Sequence, residues 1–138
     1  MLINISGEST AKLIVYGSGK PLRQFIYSQD LAKLIIWVLL NYQDHQPIIL
    51  SVGEEDEISI GQAAQLIADS FSKKFSDESS QFQIQIEYDL NCSDGQFKKT
   101  ANNKKLRGFL PDFKFTPIQQ GIYETVNWFC DNYEVARK

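Results

Sequence analysis

The chain has 138 residues, 43% of them hydrophobic and 22% charged, which suits one globular domain with a core of its own. A net charge of −3 argues against broad nucleic-acid binding, which leans on a basic surface. Two cysteines (Cys92 and Cys130) without metal-ligand spacing and one histidine (His45) exclude a Cys/His zinc site, and no apolar run reaches the ~18–20 residues of a membrane span.

In chain order, residues 1–10 read as a loose leader, without the charged start and long apolar core of a signal peptide; a cytoplasmic location is expected. Residues 11–16 (AKLIVY) read as a strand closed by Gly17. Residues 17–21 (GSGKP) must be loop, because two glycines permit unusual dihedrals and Pro21 pushes Lys20 out of the helical region. Residues 23–27 (RQFIY) predict a second short strand. Ser28 or Asp30 then caps a helix that runs to about Tyr42. That helix is apolar on nearly every side, from Leu31 and Leu34 through Leu40, so it expects neighbours on more than one face.

After a polar loop, residues 48–52 (IILSV) form a continuous apolar run closed by Gly53, the pattern of a fully buried strand. An acidic loop follows at residues 54–57. Ser59 with Gln62 spells a capping box, and Ile60, Ala63, Ala64, Ile67 and Phe71 repeat at helical spacing behind it. Lys73 and Lys74 suit that helix's C-terminal end. Residues 75–81 read as loop. Phe82, Ile84, Ile86 and Tyr88 alternate with polar residues, predicting a half-exposed strand. Asp94-Gly95 marks a turn, followed by a short strand that carries Lys98 and Lys99. Asn102 or Asn103 caps a short helix that ends before Pro111. Thr116, Pro117 and Gln119 together predict the start of a last helix, with Ile118, Ile122, Val126 and Phe129 along one face. The fold class is mixed α/β or α+β.

The Leu31–Leu40 helix and the 48–52 run leave a surplus of apolar surface. Two further amphipathic helices and one half-buried strand are not enough to cover it, so the sequence implies a missing partner layer: another domain or another subunit.

The chemistry candidates are few. The Gly17–Gly19 pair is neither a dinucleotide fingerprint nor a phosphate loop, since Lys-Pro follows it and no helix opens. Arg23, just beyond a glycine turn and three residues after Lys20, is placed to grip phosphate oxygens with a planar fork; the plainer alternative pairs it with a carboxylate such as Asp30. Alternation on a strand would point one of Lys98 and Lys99 inward and one outward. Asp30 reads as a helix cap before it reads as a base. Nothing in the sequence forms a catalytic engine: there is no Ser/His/Asp order and no Tyr-x-x-x-Lys.

The stretch VYGSGKPLRQFIYSQDLA (residues 15–32) carries Arg-x-Phe-hydrophobic-aromatic-x-x-Asp-hydrophobic-Ala from Arg23 to Ala32. This resembles the start of the substrate domain in extended short-chain dehydrogenase/reductases that act on nucleotide sugars. PIILSVGEEDEISIGQAA, SDGQFKKTANNKKLR and FLPDFKFTPIQQGIYETVNWFCDNYE follow in order, and the whole is similar to the GDP-L-fucose synthases of animal type over nearly all of residues 11–138. The resemblance implies the C-terminal, nucleotide-sugar-binding part of such an enzyme, lacking most of its Rossmann domain.

Members of that family are NADP-dependent homodimers. They epimerise GDP-4-keto-6-deoxy-mannose at C3 and C5 and then reduce C4. The resemblance places the NADP fingerprint and all the reacting groups upstream of this chain, so it implies no catalytic residue and no cofactor for this chain alone. It does imply substrate contacts. Arg23 matches the diphosphate-binding arginine, and Lys99 matches a lysine near the sugar nucleotide. Tyr16 stands where the family often has tryptophan; Phe97 and Asp94 come second. The expected partners are a GDP-sugar and the missing Rossmann domain or another subunit. Two alternatives stay open: a non-catalytic interaction module that keeps the fold, or the substrate domain of another nucleotide-sugar epimerase or reductase.

Overall fold

A computed structural model describes residues 10–76 and 81–136. The leader predicted at residues 1–10 lies outside the described residues except for Thr10, which opens the first strand. Strand β1 (Thr10–Tyr16) pairs in parallel with β4 (Gln83–Asp89), with Ala11 opposite Ile84 and Tyr16 opposite Asp89. Between them in sequence lie β2 (Leu22–Arg23), helix α1 (Ser28–Asn41), a 3-10 turn (Glu54–Asp56), β3 (Ile58–Ser59) and helix α2 (Ile60–Phe75). Helices α3 (Lys104–Phe109) and α4 (Ile118–Asp131) complete the chain. Strands β2 and β3 form a second, two-residue antiparallel pair.

The core sits where α2 covers the β1–β4 pair and packs against α4. Ala11 and Val15 from β1, Ala63, Ala64, Ala68 and Phe71 from α2, and Val126 from α4 are buried there. Small residues on the inner face of α2 let the helix lie close to the strands. The capping box forms as predicted: Ser59 Oγ accepts the Gln62 amide at 3.0 Å, and the Gln62 side chain accepts the Ser59 amide at 2.8 Å.

Five readings need correction. The strand predicted at residues 23–27 shortens to Leu22–Arg23, because only Leu22 and Arg23 find a partner, in β3. Residues 48–52 form no strand; no described strand runs beside them, and side-chain amides take two of their carbonyls instead (Asn103 Nδ2 to Ser51 O at 3.0 Å, Gln24 Nε2 to Val52 O at 2.7 Å). Neither Ser28 nor Asp30 caps α1: the N-cap is Tyr27, without a side-chain bond, and Asp30 is buried inside the first turn. Thr116 does not cap α4, whose N-cap is Pro117; Asp30 draws both the Thr116 hydroxyl and its amide, the latter at 2.6 Å, away from the helix end. The strand predicted around Lys98 and Lys99 is reduced to a single parallel bridge between Leu22 and Lys98.

The expectation that α1 is buried on several sides also fails among the described residues. Only Asp30 and Leu34 of α1 are buried, while Leu39 and Leu40 are 77% and 73% exposed and Ile35 and Ile36 are exposed beside them. Ile14 and Tyr16 stand exposed on the other face of β1. A parallel pair is normally covered on both faces. The apolar surplus read from the sequence is therefore present as open surface.

Candidate functional site

Parallel strands end on the same side, so the loop after β1 (residues 17–21) and the loop after β4 (residues 90–97) meet beyond the carboxyl ends of the pair, the position where open α/β sheets hold their ligands. The two loops are clasped together. Asp94 accepts the Ser18 amide at 2.5 Å and the Ser18 hydroxyl at 2.6 Å. The Leu22 amide donates to the Phe97 carbonyl at 2.8 Å. These bonds, with Lys20 nearby, hold the Asp94 carboxyl below its usual range.

The glycines serve this clasp. Gly17 (φ +85°) and Gly19 (φ +68°) lie in the left-handed region. A Cβ on Gly17 would collide with Asp94 Oδ1, and one on Gly19 would come within 2.5 Å of the Tyr88 ring. The Gly19 and Pro21 carbonyls accept the Gly61 and Ile60 amides at 2.8 and 3.0 Å. The first amides of α2 are thus satisfied by the loop and by the capping box, which leaves that helix end unavailable to an anion. This Gly-x-Gly loop does not fit a dinucleotide.

Arg23 sits half-buried at the centre of the clasp. Its guanidinium donates to the Leu22 carbonyl at 2.6 Å and to the Gln96 carbonyl at 2.9 Å. No carboxylate pairs with it among the described residues, and the alternative partner, Asp30, is engaged by Lys33 and Thr116. Among the described residues two of the five guanidinium N–H groups are used, one on Nη1 and one on Nη2, so the group is held by backbone carbonyls with N–H donors to spare.

The other four residues read from the sequence surround it unevenly. Asp94 and Phe97 belong to the same clasp, Asp94 through its carboxylate and Phe97 through its carbonyl; the Phe97 ring is 60% exposed. Tyr16, at the end of β1 and 71% exposed, stands one residue before the glycine turn. Lys99 is exposed, and no described carboxylate lies within ion-pair distance of it. Its neighbour Lys98 bonds to Glu54 and lies 3.5 Å from Glu57, and these contacts raise its ammonium pKa while lowering that of Glu54. Both lysines face solvent, contrary to the inward–outward alternation expected of a strand.

Gln24 is a residue that sequence reasoning passed over. Its amide nitrogen donates to the Val52 carbonyl at 2.7 Å and the Ala101 carbonyl at 3.1 Å, and its oxygen accepts the Ala101 amide at 2.6 Å. All its polar atoms are engaged, and it ties the backbone next to Arg23 to two distant segments. No spacing in the sequence signals this, because every partner is a main-chain group.

Known proteins place this geometry in context. The family model described as "NAD dependent epimerase/dehydratase family" matches residues 1–53. A GDP-L-fucose synthase from Dictyostelium discoideum is 54% identical over 131 residues, 95% of this chain and 38% of that protein. A protein from Drosophila melanogaster named "Probable GDP-L-fucose synthase" is 47% identical over the same shares. The chain is a relative of the GDP-L-fucose synthases. A crystal structure of a GDP-L-fucose synthetase from Naegleria fowleri superposes with a TM-score of 0.81 at 49% identity, covering 92% of this chain and 36% of that one. A second structure of the Naegleria protein is described as bound to NADP, with a TM-score of 0.80. The resemblance read from residues 15–32 and the three later segments is borne out, as is the mixed α/β fold of this enzyme type. The chain spans about 38% of the length of these two curated relatives. Among the described residues no helix is long and apolar enough to cross a membrane.

Proposed function

We propose that this chain is the substrate-binding part of a GDP-L-fucose synthase, one that converts GDP-4-keto-6-deoxy-D-mannose to GDP-L-fucose by 3,5-epimerisation and 4-reduction in the cytoplasm, as a homodimer. Residues 11–138 are the nucleotide-sugar-binding unit. NADP, the hydride source for the C4 reduction, belongs with the portion of the protein that this sequence does not span; the chain's own Gly-x-Gly loop is engaged with α2. No acid, base or hydride-transfer role is assigned here, and the chain alone catalyses nothing. The open outer face of α1 and the unpaired 48–52 run are read as surface for that further portion or for another subunit.

The observation that carries the reading is Arg23: a guanidinium aimed by two carbonyls, unpaired with any described carboxylate, at the carboxyl end of a parallel strand pair. A diphosphate supplies the acceptors such a fork lacks. Tyr16 and Phe97 offer exposed rings for the rest of a nucleotide sugar, and Lys99 offers a second cation. The test is GDP binding by calorimetry, on the chain combined with the complementary portion of the Dictyostelium relative. Arg23→Ala is expected to cost about 2–5 kcal/mol, the range for removing one side of a close charge contact. A loss of only a few tenths overturns the diphosphate role. UDP or ADP binding as tightly as GDP moves the reading to another nucleotide sugar.

A second reading, a non-catalytic interaction module, is favoured by the exposed apolar face of α1 alone. Light scattering separates the two: a well-folded monomer that binds no apolar dye removes the interaction module.

A further inference from the structure

A groove of about 540 Å³ runs between α2 and α4. Ile67 and Phe71 wall it on one side, Ile118, Ile122 and Phe129 on the other, and Phe25 also lines it. None of the five candidate site residues touches it. Ser28 at its edge is exposed, and three of its other polar groups are already engaged within the chain. The Tyr27 hydroxyl donates to Glu124 at 2.8 Å, the Thr125 hydroxyl to the Gly121 carbonyl at 2.7 Å, and the Thr116 amide to Asp30. Among the described residues no buried side-chain nitrogen or oxygen lacks a partner. A sugar or a phosphate entering here would lose its hydration against a mostly apolar lining and find few hydrogen-bonding groups in return. The groove calls for hydrocarbon.

Two helices of 16 and 14 residues with an open furrow between them match a third helix, whose side chains at i, i+3, i+4 and i+7 fill the furrow. The page offers a source for it. This chain keeps its fold as 36% of the Naegleria structure and aligns with 38% of the Dictyostelium protein, so well over half of each relative is further chain. A second copy of this chain fits less well. The exposed apolar ridge on α1 is a different surface from the groove, so two copies pair ridge to groove only if both contacts form at once about one twofold axis, a stricter demand than seating one helix.

We propose that the groove seats an apolar helix face from the portion of the longer relatives that this sequence does not span. The inference rests on the functional reading above only in taking that portion to sit beside this chain. It has a consequence for the site: Phe25 and Tyr27, both lining the groove, follow Arg23 by two and four residues, so the seated helix steadies the segment that aims the guanidinium.

The experiment co-expresses this chain with the complementary portion of the Dictyostelium relative and measures their association. Ile122→Asp, inside the groove, and Thr125→Lys, on its exposed rim, are each compared with Gln65→Lys on the exposed face of α2; circular dichroism checks that each variant folds. Both groove variants are expected to weaken association by at least about tenfold, with Gln65→Lys within about twofold of the unchanged chain. Bound apolar dye is expected to leave the chain as the complement is added. The proposal is overturned if the complement does not associate with the unchanged chain, or if folded Thr125→Lys associates as well as it does. It is also overturned if the chain self-associates through a contact that Ile122→Asp abolishes, which makes the occupant a second copy. GDP titration of the pair keeps the two readings apart: a pair that obeys the groove variants but binds no GDP overturns the functional reading alone, and a GDP-binding pair indifferent to Thr125→Lys overturns the groove alone.

Discussion

The carboxylate of Asp30, in the first turn of α1, accepts the amide of Thr116 at 2.6 Å across 86 residues of chain. Asp30 is 1% exposed, and its other oxygen receives the Lys33 ammonium at 3.2 Å. Burial pushes the carboxyl up, but the amide and hydroxyl of Thr116 and the charge of Lys33 outweigh it and hold the group below its ordinary value. Asp30→Ala is therefore expected to cost about 1.5–3 kcal/mol, the range for a bond to a charged group. The midpoint of urea unfolding measures this; a change below about 0.5 kcal/mol would mean water replaces the carboxylate at no loss. The pH dependence has a definite sign. A depressed folded value means the unfolded chain binds the proton first as the medium acidifies. The stabilisation is complete above the ordinary carboxylate value and is lost as pH falls through the folded one. Unfolding curves for the unchanged chain and Asp30→Asn should converge in that acid window.

Gln24 makes the next prediction, because it does the work of a strand partner for Val52 and Ala101. Gln24→Leu removes two donors and one acceptor from part-buried carbonyls and an amide, at a cost of about 1–3 kcal/mol. The sharper readout is local. Hydrogen exchange at the Ala101 amide should accelerate at least about tenfold while amides in the middle of α2 keep their protection. Unchanged exchange at Ala101 would show that Gln24 does not restrain that segment.

These two residues mark how far the sequence can be read. Periodicity located α1, α2, α4 and both long strands, because each is a local pattern of apolar residues. Ser59 with Gln62 was legible for the same reason: both partners of the capping box lie within one turn. Asp30 beside the start of α1 looks like a cap, and only the path of the chain brings Thr116 to it. The 48–52 run looks like a buried strand, and it lacks a strand beside it among the described residues. Of the site, Arg23 was legible as a residue but its aim was not. The carbonyls that direct it belong to Leu22 and Gln96, and a carbonyl has no signature in the sequence.

Two glycines separate backbone strain from crowding. Gly19 and Gly95 have nearly the same dihedral, φ +68° and +66°. A Cβ at Gly95 meets nothing within 4 Å, while one at Gly19 meets the Tyr88 ring at 2.5 Å and the Gly61 backbone at 3.3 Å. Gly95→Ala should cost only the left-handed penalty, about 1–2 kcal/mol. Gly19→Ala carries that penalty plus the displacement of Tyr88, which overpacked sites put at about 1–3 kcal/mol more. Thermal unfolding of the two variants side by side checks this. Equal losses would mean that Tyr88 swings away freely and the turn is set by dihedral preference alone.

The adjacent lysines give the last prediction, and the most discriminating one for the site. Lys98 is held by Glu54 and Glu57, and Glu57 also accepts the Thr100 hydroxyl, so the Lys98 charge is already answered within the chain. Lys99 has no such partner among the described residues and lies two residues from Phe97. Measured on the chain combined with the complementary portion of the Dictyostelium relative, Lys99→Ala should weaken GDP binding about tenfold without moving the melting temperature. Lys98→Ala should leave GDP affinity within about twofold and loosen the contact between the 3-10 turn and residues 98–100 instead. The Lys99 effect should shrink as salt rises, since an exposed cation acting on a diphosphate is screened over a Debye length of about 8 Å at physiological ionic strength. If Lys98→Ala weakens GDP as much as Lys99→Ala does, the ion pairs of Lys98 do not survive ligand binding, and the division of roles between the two lysines is wrong.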